Sequence, residues 1–372
     1  MSESWPTIKN PLIMKVSIIT PTYNQAQFVG ETIKSVLNQD YSDIEYIVLD
    51  DGSTDETQEI IKPYLGQLKY IRHENIGESK TVNKGYRLCT GNIVGVVNSD
   101  DPLFTSDAVT RIVNCFRENP DTLAVYPDWV SIDESGNVLD WRELPQYSIE
   151  TMLKEFDVQM GPGMFIKRTA LATIGYRNES VKYTGDLDVS FRLALLGDMT
   201  HVKGFLATHR VHGQAASLLG KGDVMASEVV RLAKMSLESP LLPRTLLHEK
   251  SRILGYAYLV STHYAKTRGL MYYKKIAKAL FADPSLLRDL FINRERTRFV
   301  ECINFLRLPH RAMYRFSRDS KKVGGICYRA WLRLPLTYRV SMLRNLKKTW
   351  RVCPWTVKHE ILKIARFFGF NL

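Results

Sequence analysis

The stretch Ile93-Val-Gly-Val-Val-Asn-Ser-Asp-Asp-Pro102 joins a short apolar run to a group of carboxylates. The apolar run is β-branched, brief and closed by turn-forming residues, which is typical of a strand buried in a sheet. Two earlier stretches, Val16–Asn24 and Ile44–Ser53, repeat the pattern, since each passes from apolar to polar residues. The repetition predicts three strands, each followed at its carboxyl end by a polar loop.

Segments with helical spacing of apolar residues separate these strands, at 28–37, 54–64 and 79–88. Strands that alternate with helices indicate an α/β fold, in which a mostly parallel sheet carries helices on both faces. Ligands of such sheets bind beyond the carboxyl ends of the strands. We therefore expect the three polar loops to converge on one site.

The chain changes character after about residue 218, where its charge changes sign and long helical stretches dominate, including helices predicted over 246–267 and 285–305. Residues 244–372 hold 28 Lys and Arg against 7 Asp and Glu, a net charge of +21, whereas residues 1–243 have a net charge of −9. This contrast predicts a catalytic domain over 1–217 and a mainly helical, basic region over 218–372. The basic region suits either an anionic membrane surface or nucleic acid.

Several classes of protein are excluded by what the sequence lacks. Its five cysteines form no CxxC pair, which argues against a disulfide framework and a thiolate metal site. The first 15 residues have no apolar core of a signal peptide, and no run of 18 apolar residues occurs, so a cytoplasmic location is expected. Motifs typical of P-loop enzymes, zinc proteases and serine hydrolases are also missing.

The carboxylate-rich loops each allow two interpretations. Oxygen ligands in Asn98–Asp101 suit magnesium or manganese bridged to phosphates, but the same residues also favour an ordinary turn. Asp50–Ser53 suits a nucleotide, or else caps the following helix through Ser53 or Thr54. Two such loops at neighbouring strand ends favour a nucleotide together with a metal ion.

Two carboxylates, Asp186 and Asp188, begin a predicted helix at 186–196. Either one is able to act as a general base, and either one is able to stabilise the first helical turn. Spacing alone does not separate these roles. Two further strands are predicted over 161–167 and 200–210. His212 follows the second of them, and a single histidine in such a position is more often structural.

Taken together, ordered motifs over residues 13–217 resemble the family-2 glycosyltransferases with the GT-A fold. The matching segments are Val16–Gln25, Thr32–Gln39, Glu45–Asp55, Asn75–Gly77, Asn83–Gly85, Thr90-Gly91, Asn98–Asp101, Gly161–Phe165 with Arg168, Gly185–Asp188 with Arg192, and Arg210–His212. The resemblance implies a Rossmann-like GT-A sheet and an inverting transferase that takes a sugar from a nucleotide diphosphate, with a UDP-sugar expected. No comparable resemblance covers residues 218–372.

The resemblance also implies roles for individual residues. It assigns the donor site to Pro21, Tyr23, Asn24, Asp51, Asn98 and Asp100. Within that site, the resemblance implies a nucleobase pocket formed by Pro21, Tyr23 and Asp51. It assigns a divalent cation, Mn²⁺ or Mg²⁺, to Asp100, Asp101 and His212. Asp186 sits where the family has its catalytic base, with Asp188 as the alternative.

The sequence departs from the family pattern at two positions. Asn98 stands where a first carboxylate of the metal motif is common, which implies weaker metal binding. Gly185 stands where an acidic residue often precedes the base.

The partners that the resemblance implies are a nucleotide-sugar donor and a glycan or lipid-linked glycan acceptor, in cell-surface polysaccharide synthesis. Such an acceptor and the basic region together predict a peripheral location at the inner face of the membrane. Two alternatives are a nucleotide-sugar-binding protein without transferase activity and a nucleic-acid-binding protein. The sequence carries no nucleic-acid recognition motif, so no specific nucleic acid is expected.

Overall fold

The computed structural model describes residues 14–154, 160–213, 222–262, 270–283 and 285–286. Contacts within the chain divide it into two compact units. The first comprises Met1–Met152, Asp157–Lys221 and Glu238–Pro243, and the second comprises Leu153–Phe156, Gly222–Leu237 and Arg244–Leu372. The predicted boundary at 217–218 lies outside the described residues and stays a prediction.

An eight-stranded sheet forms the first unit, and its strands follow the order β3-β2-β1-β4-β7-β5-β6, with β8 also paired to β5. The strands are β1 Val16–Thr22, β2 Ile44–Asp50, β3 Lys69–Arg72, β4 Ile93–Val96, β5 Ala124–Ile132, β6 Val138–Arg142, β7 Phe165–Lys167 and β8 Met199–Arg210. Strand β1 pairs in parallel with both β2 and β4, and β2 pairs in parallel with β3. The predicted mostly parallel α/β sheet is therefore confirmed.

Helices alternate with the strands along this part of the chain, as the apolar spacing predicted. They are α1 Val29–Leu37, α2 Thr57–Ile61, α3 Glu78–Leu88, α4 Ala108–Glu118, α5 Ile149–Lys154, α6 Arg168–Ile174 and α7 Gly185–Leu196. A 3₁₀ turn, Lys62–Tyr64, follows α2 and contains Pro63, which ends the helix earlier than the predicted segment 54–64.

Strand β7 runs antiparallel to both of its neighbours, β4 and β5. Its three residues replace the longer strand predicted over 161–167. Gly163 breaks that segment with a φ of +79°, a conformation that favours glycine. At Gly95 in β4 a Cβ atom would lie 2.4 Å from the ring of Phe165 in β7. Glycine at this position therefore leaves room for the Phe165 ring where the two strands pair.

The buried core of the first unit joins apolar residues of β1 and β4 to those of α1 and α4. Its members include Val16, Ile18, Ile33, Val36, Ile93, Ile112 and Phe116. This packing fixes β1 and β4 as central strands. Their carboxyl ends consequently form a rigid base for the loops that follow.

The second unit is helical in its described part. It contains α8 Gly222–Glu238, α9 Lys250–Val260 and α10 Leu270–Ala282, with a 3₁₀ turn over Arg244–Glu249. The continuous helix predicted over 246–267 thus begins as a 3₁₀ turn, as helices frequently do. Most of the helix predicted over 285–305 lies outside the described residues. Within the described ranges, every helix is too short or too polar to cross a membrane.

Candidate active site

The carboxyl ends of β1, β2 and β4 are joined by backbone hydrogen bonds. The amide of Asp51 donates to the carbonyl of Thr22 at 2.9 Å. On the other side of β1, the amide of Val97 donates to the carbonyl of Ile19, also at 2.9 Å. The three polar loops therefore start from one edge of the sheet, as the alternation of strands and helices predicted.

Asn24 ties the loop after β1 to the loop after β2. Its backbone amide donates to Oγ of Ser53 at 3.0 Å, and its Oδ1 accepts from the amide of Thr54 at 2.8 Å. Its φ of +52° lies in the left-handed region, which asparagine tolerates better than most residues. Tyr23, the residue before Asn24, is 46% exposed. Pro21 is buried within β1. An exposed aromatic ring at this edge is available for stacking.

Asp51 anchors the loop between β3 and α3. One carboxylate oxygen accepts from the amide of Ile76 at 2.7 Å, and the other accepts from the amide of Gly77 at 2.9 Å. The residue is only 4% exposed. Asp51 therefore shapes the wall of the predicted nucleobase pocket, and its direct contact with a base stays a prediction.

The alternative interpretation of Asp50–Ser53 as a helix cap is wrong. Helix α2 begins only at Thr57, and Glu56 precedes it without a side-chain cap. Asp50 is fully buried, where it accepts from the amide of Ser53 and from the hydroxyl of Tyr70, both at 2.7 Å. These bonds stabilise the loop that follows β2 and join it to β3, several residues before α2 begins.

Asp100 and His212 meet at the end of β4, although 112 positions separate them in sequence. Nε2 of His212 lies 3.0 Å from Oδ2 of Asp100. The side chain of His212 is 1% exposed and packs against the ring of Phe28, whereas that of Asp100 is 22% exposed. The imidazole is thus held rigidly, and the carboxylate keeps one side open to a ligand.

Asp101 is bound by the protein itself. Its Oδ1 accepts from the amide of Arg210 at 2.7 Å, and its Oδ2 accepts from the side-chain amide of Asn98 at 3.2 Å. Burial and the neighbouring carboxylate of Asp100 raise the pKa of Asp101 to about 7. Both oxygens already have donors, so Asp101 differs from Asp100 in what it offers a ligand.

Arg210 is a residue whose role the sequence did not reveal. It is 1% exposed, and its Nε donates to the backbone carbonyl of Asp100 at 2.9 Å. Its other nitrogens donate to Glu31 at 2.6 Å and to the carbonyl of Asp133 at 3.0 Å. Arg210 thereby connects the loop after β4, which contains Asp100, to α1 and to the turn after β5. Its place two residues before His212 was the available signal.

A divalent cation fits the chemistry of Asp100 and His212. They offer a carboxylate oxygen and an imidazole nitrogen side by side, and Mn²⁺ or Mg²⁺ would complete its coordination with water and phosphate oxygens. Among the residues that the structure describes, no group of three His, Cys, Asp or Glu side chains is arranged to hold a metal. Asp101 faces Arg210 and Asn98, so Asp100 and His212 are the two predicted ligands that lie side by side, and metal binding by all three residues stays a prediction.

The two carboxylates at the start of α7 have different surroundings. Asp188 is 1% exposed and forms an ion pair with Arg192, one turn along the helix, and it also accepts from the amide of Asn178 at 3.0 Å. Asp186 is exposed, and its Oδ1 accepts from the amide of Leu187 at 2.8 Å. Asp188 is therefore bound within the protein, whereas Asp186 is the more exposed of the two, and which of them acts as the base stays a prediction.

Asp186 is exposed as a residue, but the protein atoms around its carboxyl group reduce the hydration of that group. This loss of hydration raises the pKa of Asp186, and the nearby guanidinium of Arg177 opposes the rise. A raised pKa suits a base that must take a proton near neutral pH. Neither Arg177 nor its partner Glu78 was singled out in the sequence.

The structure thus groups Asn98, Asp100, Asp101 and His212 at the end of β4, and it places Pro21, Tyr23, Asn24 and Asp51 at the neighbouring ends of β1 and β2. Asp186 lies on a different element, α7. The binding and catalytic roles of these residues stay predictions.

Comparison with known proteins identifies a family and several relatives that this chain resembles. Residues 17–174 match the model of glycosyl transferase family 2. Chondroitin synthase from Escherichia coli is 31% identical over 210 residues, which cover 55% of this chain and 30% of the relative. An uncharacterized glycosyltransferase from Nostoc is 29% identical over 215 residues, which cover 54% of this chain and 66% of the relative. The chain spans less than two thirds of the length of these curated relatives.

Solved structures share the fold at low sequence identity. Staphylococcus aureus TarS 1–349 in complex with UDP superimposes with a TM-score of 0.58 at 18% identity, covering 83% of this chain and 93% of that one. The mannosyltransferase PcManGT from Pyrobaculum calidifontis, in complex with GDP-Man and Mn²⁺, gives a TM-score of 0.53 at 16% identity, covering 92% of this chain and 88% of that one. The family match, the relatives and the shared fold together support a glycosyl transferase family 2 domain over residues 17–174.

Proposed function

We propose that the chain is an inverting glycosyltransferase, which moves a sugar from a nucleotide-diphosphate donor to a hydroxyl of a glycan or lipid-linked glycan. The observation that supports this proposal most strongly is that two of its carboxylates are open and two are bound by the protein itself. Asp100 stands open beside a rigid imidazole, and Asp186 stands open on α7, while Asp101 and Asp188 are bound internally. A site with two available carboxylates suits one metal–diphosphate contact and one base.

Relatives support a UDP-sugar as the donor. TarS has been solved with UDP and with UDP-GlcNAc, and chondroitin and hyaluronan synthases are among the similar proteins. PcManGT, in contrast, carries GDP-Man, so the GT-A fold itself accepts more than one nucleotide. For this chain we infer a UDP-linked hexose or N-acetylhexosamine, and an acceptor in cell-surface polysaccharide synthesis.

The reaction follows from one displacement. Asp186 takes the proton from the acceptor hydroxyl as that oxygen attacks the anomeric carbon. The new glycosidic bond forms on the face opposite to the leaving diphosphate, whose bond to the anomeric carbon breaks, and the configuration inverts. Asp100 and His212 would hold a divalent cation that, when bound, offsets the charge growing on the diphosphate. No covalent enzyme intermediate is required.

A screen of nucleotide sugars with Mn²⁺ tests this proposal by measuring the release of free nucleotide, with and without glycan acceptors. Release that depends on donor and acceptor together is expected, with loss of activity in EDTA and its return with Mn²⁺ or Mg²⁺. Binding of a nucleotide sugar without any transfer to an acceptor would favour the alternative of a binding protein. Full activity in EDTA would remove the metal from the reaction.

We further propose that residues 244–372, the most highly charged part of the basic region, hold the protein against the cytoplasmic face of an anionic membrane. Their net charge of +21 supports this, since each Lys or Arg near such a surface contributes about 1 kcal/mol. The full chain should float with anionic vesicles at low salt and be released at high salt. Equal recovery with neutral vesicles would contradict the proposal, and retention by random DNA at the same salt would favour nucleic acid instead.

A further inference from the structure

Gly185 leaves a space beside Asp186 that another side chain fills. A Cβ atom at position 185 would lie 3.0 Å from Oγ of Ser79, 3.3 Å from Cδ of Arg177 and 3.7 Å from its Nη1. A larger side chain at this position would therefore push against both neighbours. With glycine there, the guanidinium of Arg177 reaches the first turn of α7, one residue before Asp186.

Arg177 is held firmly in that space. It is 7% exposed, and Asn83 binds its backbone twice, since Oδ1 accepts from the amide of Arg177 and Nδ2 donates to its carbonyl, both at 2.9 Å. Its Nη1 donates to Glu78 at 2.8 Å, while the side chain of Glu78 is 53% exposed. The cation is thus fixed from two sides by α3.

These contacts leave one hydrogen-bond donor of the guanidinium without a partner. Nε of Arg177 is buried and has no hydrogen-bond partner among the described residues. A buried donor without a partner costs stability, so an arginine that served only to stabilise the fold would be expected to satisfy it. The arrangement therefore points to a role in the neighbouring site.

The groups that act electrostatically on Asp186 come from three directions. Arg177 approaches from the connection before α7, and Glu78 and Tyr86 approach from α3. On α7 itself, the charge of Asp188 is balanced by Arg192. Arg177 is the cation of this set, and Glu78 is the carboxylate that opposes it.

We propose that Arg177 is a positioning residue for Asp186, and that the Glu78–Arg177 ion pair adjusts how readily Asp186 carries a negative charge. An adjacent cation favours the carboxylate form, and an adjacent carboxylate disfavours it. The Glu78–Arg177 pair therefore influences the ionisation of Asp186 from outside α7. Gly185, which has no side chain, is unable to do so. The inference rests on the proposed function only for the role of Asp186 as base.

Direct titration of Asp186 tests the inference without any need for turnover. The full-length protein is labelled with ¹³C at aspartate carboxyl groups, and the signal of Asp186 is assigned by its loss in Asp186→Asn. Arg177→Met should raise the pKa of Asp186 by about one pH unit or more, since it removes the adjacent cation. Glu78→Gln should lower the same pKa, and Arg177→Lys should stay near the wild type.

Glu179→Gln provides a matched control. Glu179 follows Arg177 by two residues and also binds Asn83, at 3.0 Å, but its ion partner is Arg87 at 3.8 Å. Its removal should leave the pKa of Asp186 unchanged. Because the side chain of Glu78 is largely exposed, Glu78→Gln should fold and carries the test even if Arg177→Met does not.

The pH profile of nucleotide release adds the kinetic measurement. Activity rises with pH as Asp186 loses its proton, so Arg177→Met should move this acidic limb to higher pH and Glu78→Gln should move it to lower pH. A pKa of Asp186 that does not fall in Glu78→Gln overturns the inference, as does one that does not rise in a folded Arg177→Met. Opposite shifts in the titration with no sugar transfer by the wild type would refute the proposed function and leave this inference standing.

Discussion

The carboxylates after β4 and those at the start of α7 look alike in sequence and differ in structure. After β4, Asp101 receives hydrogen bonds from Arg210 and Asn98, whereas Asp100 stands open beside His212. On α7, Asp188 is paired with Arg192, whereas Asp186 is exposed. Each region thus contains one carboxylate that holds the protein together and one that is left for a ligand.

In both regions the open carboxylate comes first along the chain and the internally bound one second. What separates them is the donors that the fold brings near, namely a strand-end arginine in one region and an arginine one helical turn away in the other. A pair of acidic residues therefore indicates a candidate ligand site. The hydrogen-bond donors inside the protein then determine which of the two carboxylates stays available to a ligand. We therefore expect substitution of one carboxylate of each pair to change activity and substitution of the other to change it much less.

The largest expected effect belongs to Asp186→Asn. The amide keeps the shape of the side chain but is unable to take a proton from the acceptor. We expect sugar transfer to fall by about 10²–10⁴-fold, the usual contribution of a general base. Steady-state release of nucleotide measures the loss, and titration with the nucleotide alone should show preserved binding.

Asp188→Asn is the matched variant for that experiment. If it proves to be the inactive protein in a folded state, while Asp186→Asn retains activity, the assignment of the base is wrong. The two substitutions are chemically identical and lie two residues apart, so the comparison isolates the surroundings of each carboxylate.

Asp188→Asn should instead lower stability. It removes the charge from a buried acceptor that binds Arg192 and the amide of Asn178. Hydrogen bonds to charged groups contribute about 1.5–3 kcal/mol, so the free energy of unfolding should fall by about that amount. Denaturant titration measures it, with Asp186→Asn as the control that should stay near the wild type.

Much of the fold was predictable because it depends on local patterns. Apolar runs that end in polar loops indicated β1, β2 and β4, and the helical spacing between them indicated a parallel sheet. The reversal of β7 was not predictable, because direction in a sheet is set by tertiary packing and three residues carry no signal of it. The family motifs identified the fold class with more certainty than any single segment.

The site was predictable as a set of residue types at strand ends, but its internal order was not. Nothing in Asn98–Asp101 shows that Asp101 faces Arg210, because that residue lies more than 100 positions away. The same holds for Arg177, whose side chain lies beside position 185, next to Asp186 in the chain, where glycine leaves it space. Long-range partners of this kind determine ionisation and access, and a single sequence does not show them.

The third prediction compares Asp100→Asn with Asp101→Asn. Loss of the open carboxylate beside His212 should raise the Mn²⁺ concentration for half-maximal activity by roughly 10–100-fold, the range seen when groups around a bound metal are changed. Asp101→Asn should change it much less, because its oxygens serve Arg210 and Asn98. Binding of Mn²⁺ followed by electron paramagnetic resonance checks both variants without turnover. Equal effects of the two substitutions would contradict the division between them.

A third acidic pair, Asp50-Asp51, sharpens the comparison because both of its members are bound internally. Asp51 accepts from the amides of Ile76 and Gly77, and so it holds the loop that borders the predicted nucleobase pocket. In Asp51→Asn one of these amides would face an NH₂ group and lose its acceptor.

The expected result is a rise in donor KM of about 2–12-fold with little change in kcat, since one hydrogen bond contributes about 0.5–1.5 kcal/mol. Asp40→Asn, which lies before the amino end of β2 and accepts from the hydroxyl of Thr110, is the control and should leave KM unchanged. Initial rates over a range of donor concentrations measure both. A loss confined to kcat would mean that Asp51 acts on the chemical step, and the rule that bound carboxylates only shape the site would then fail at this position.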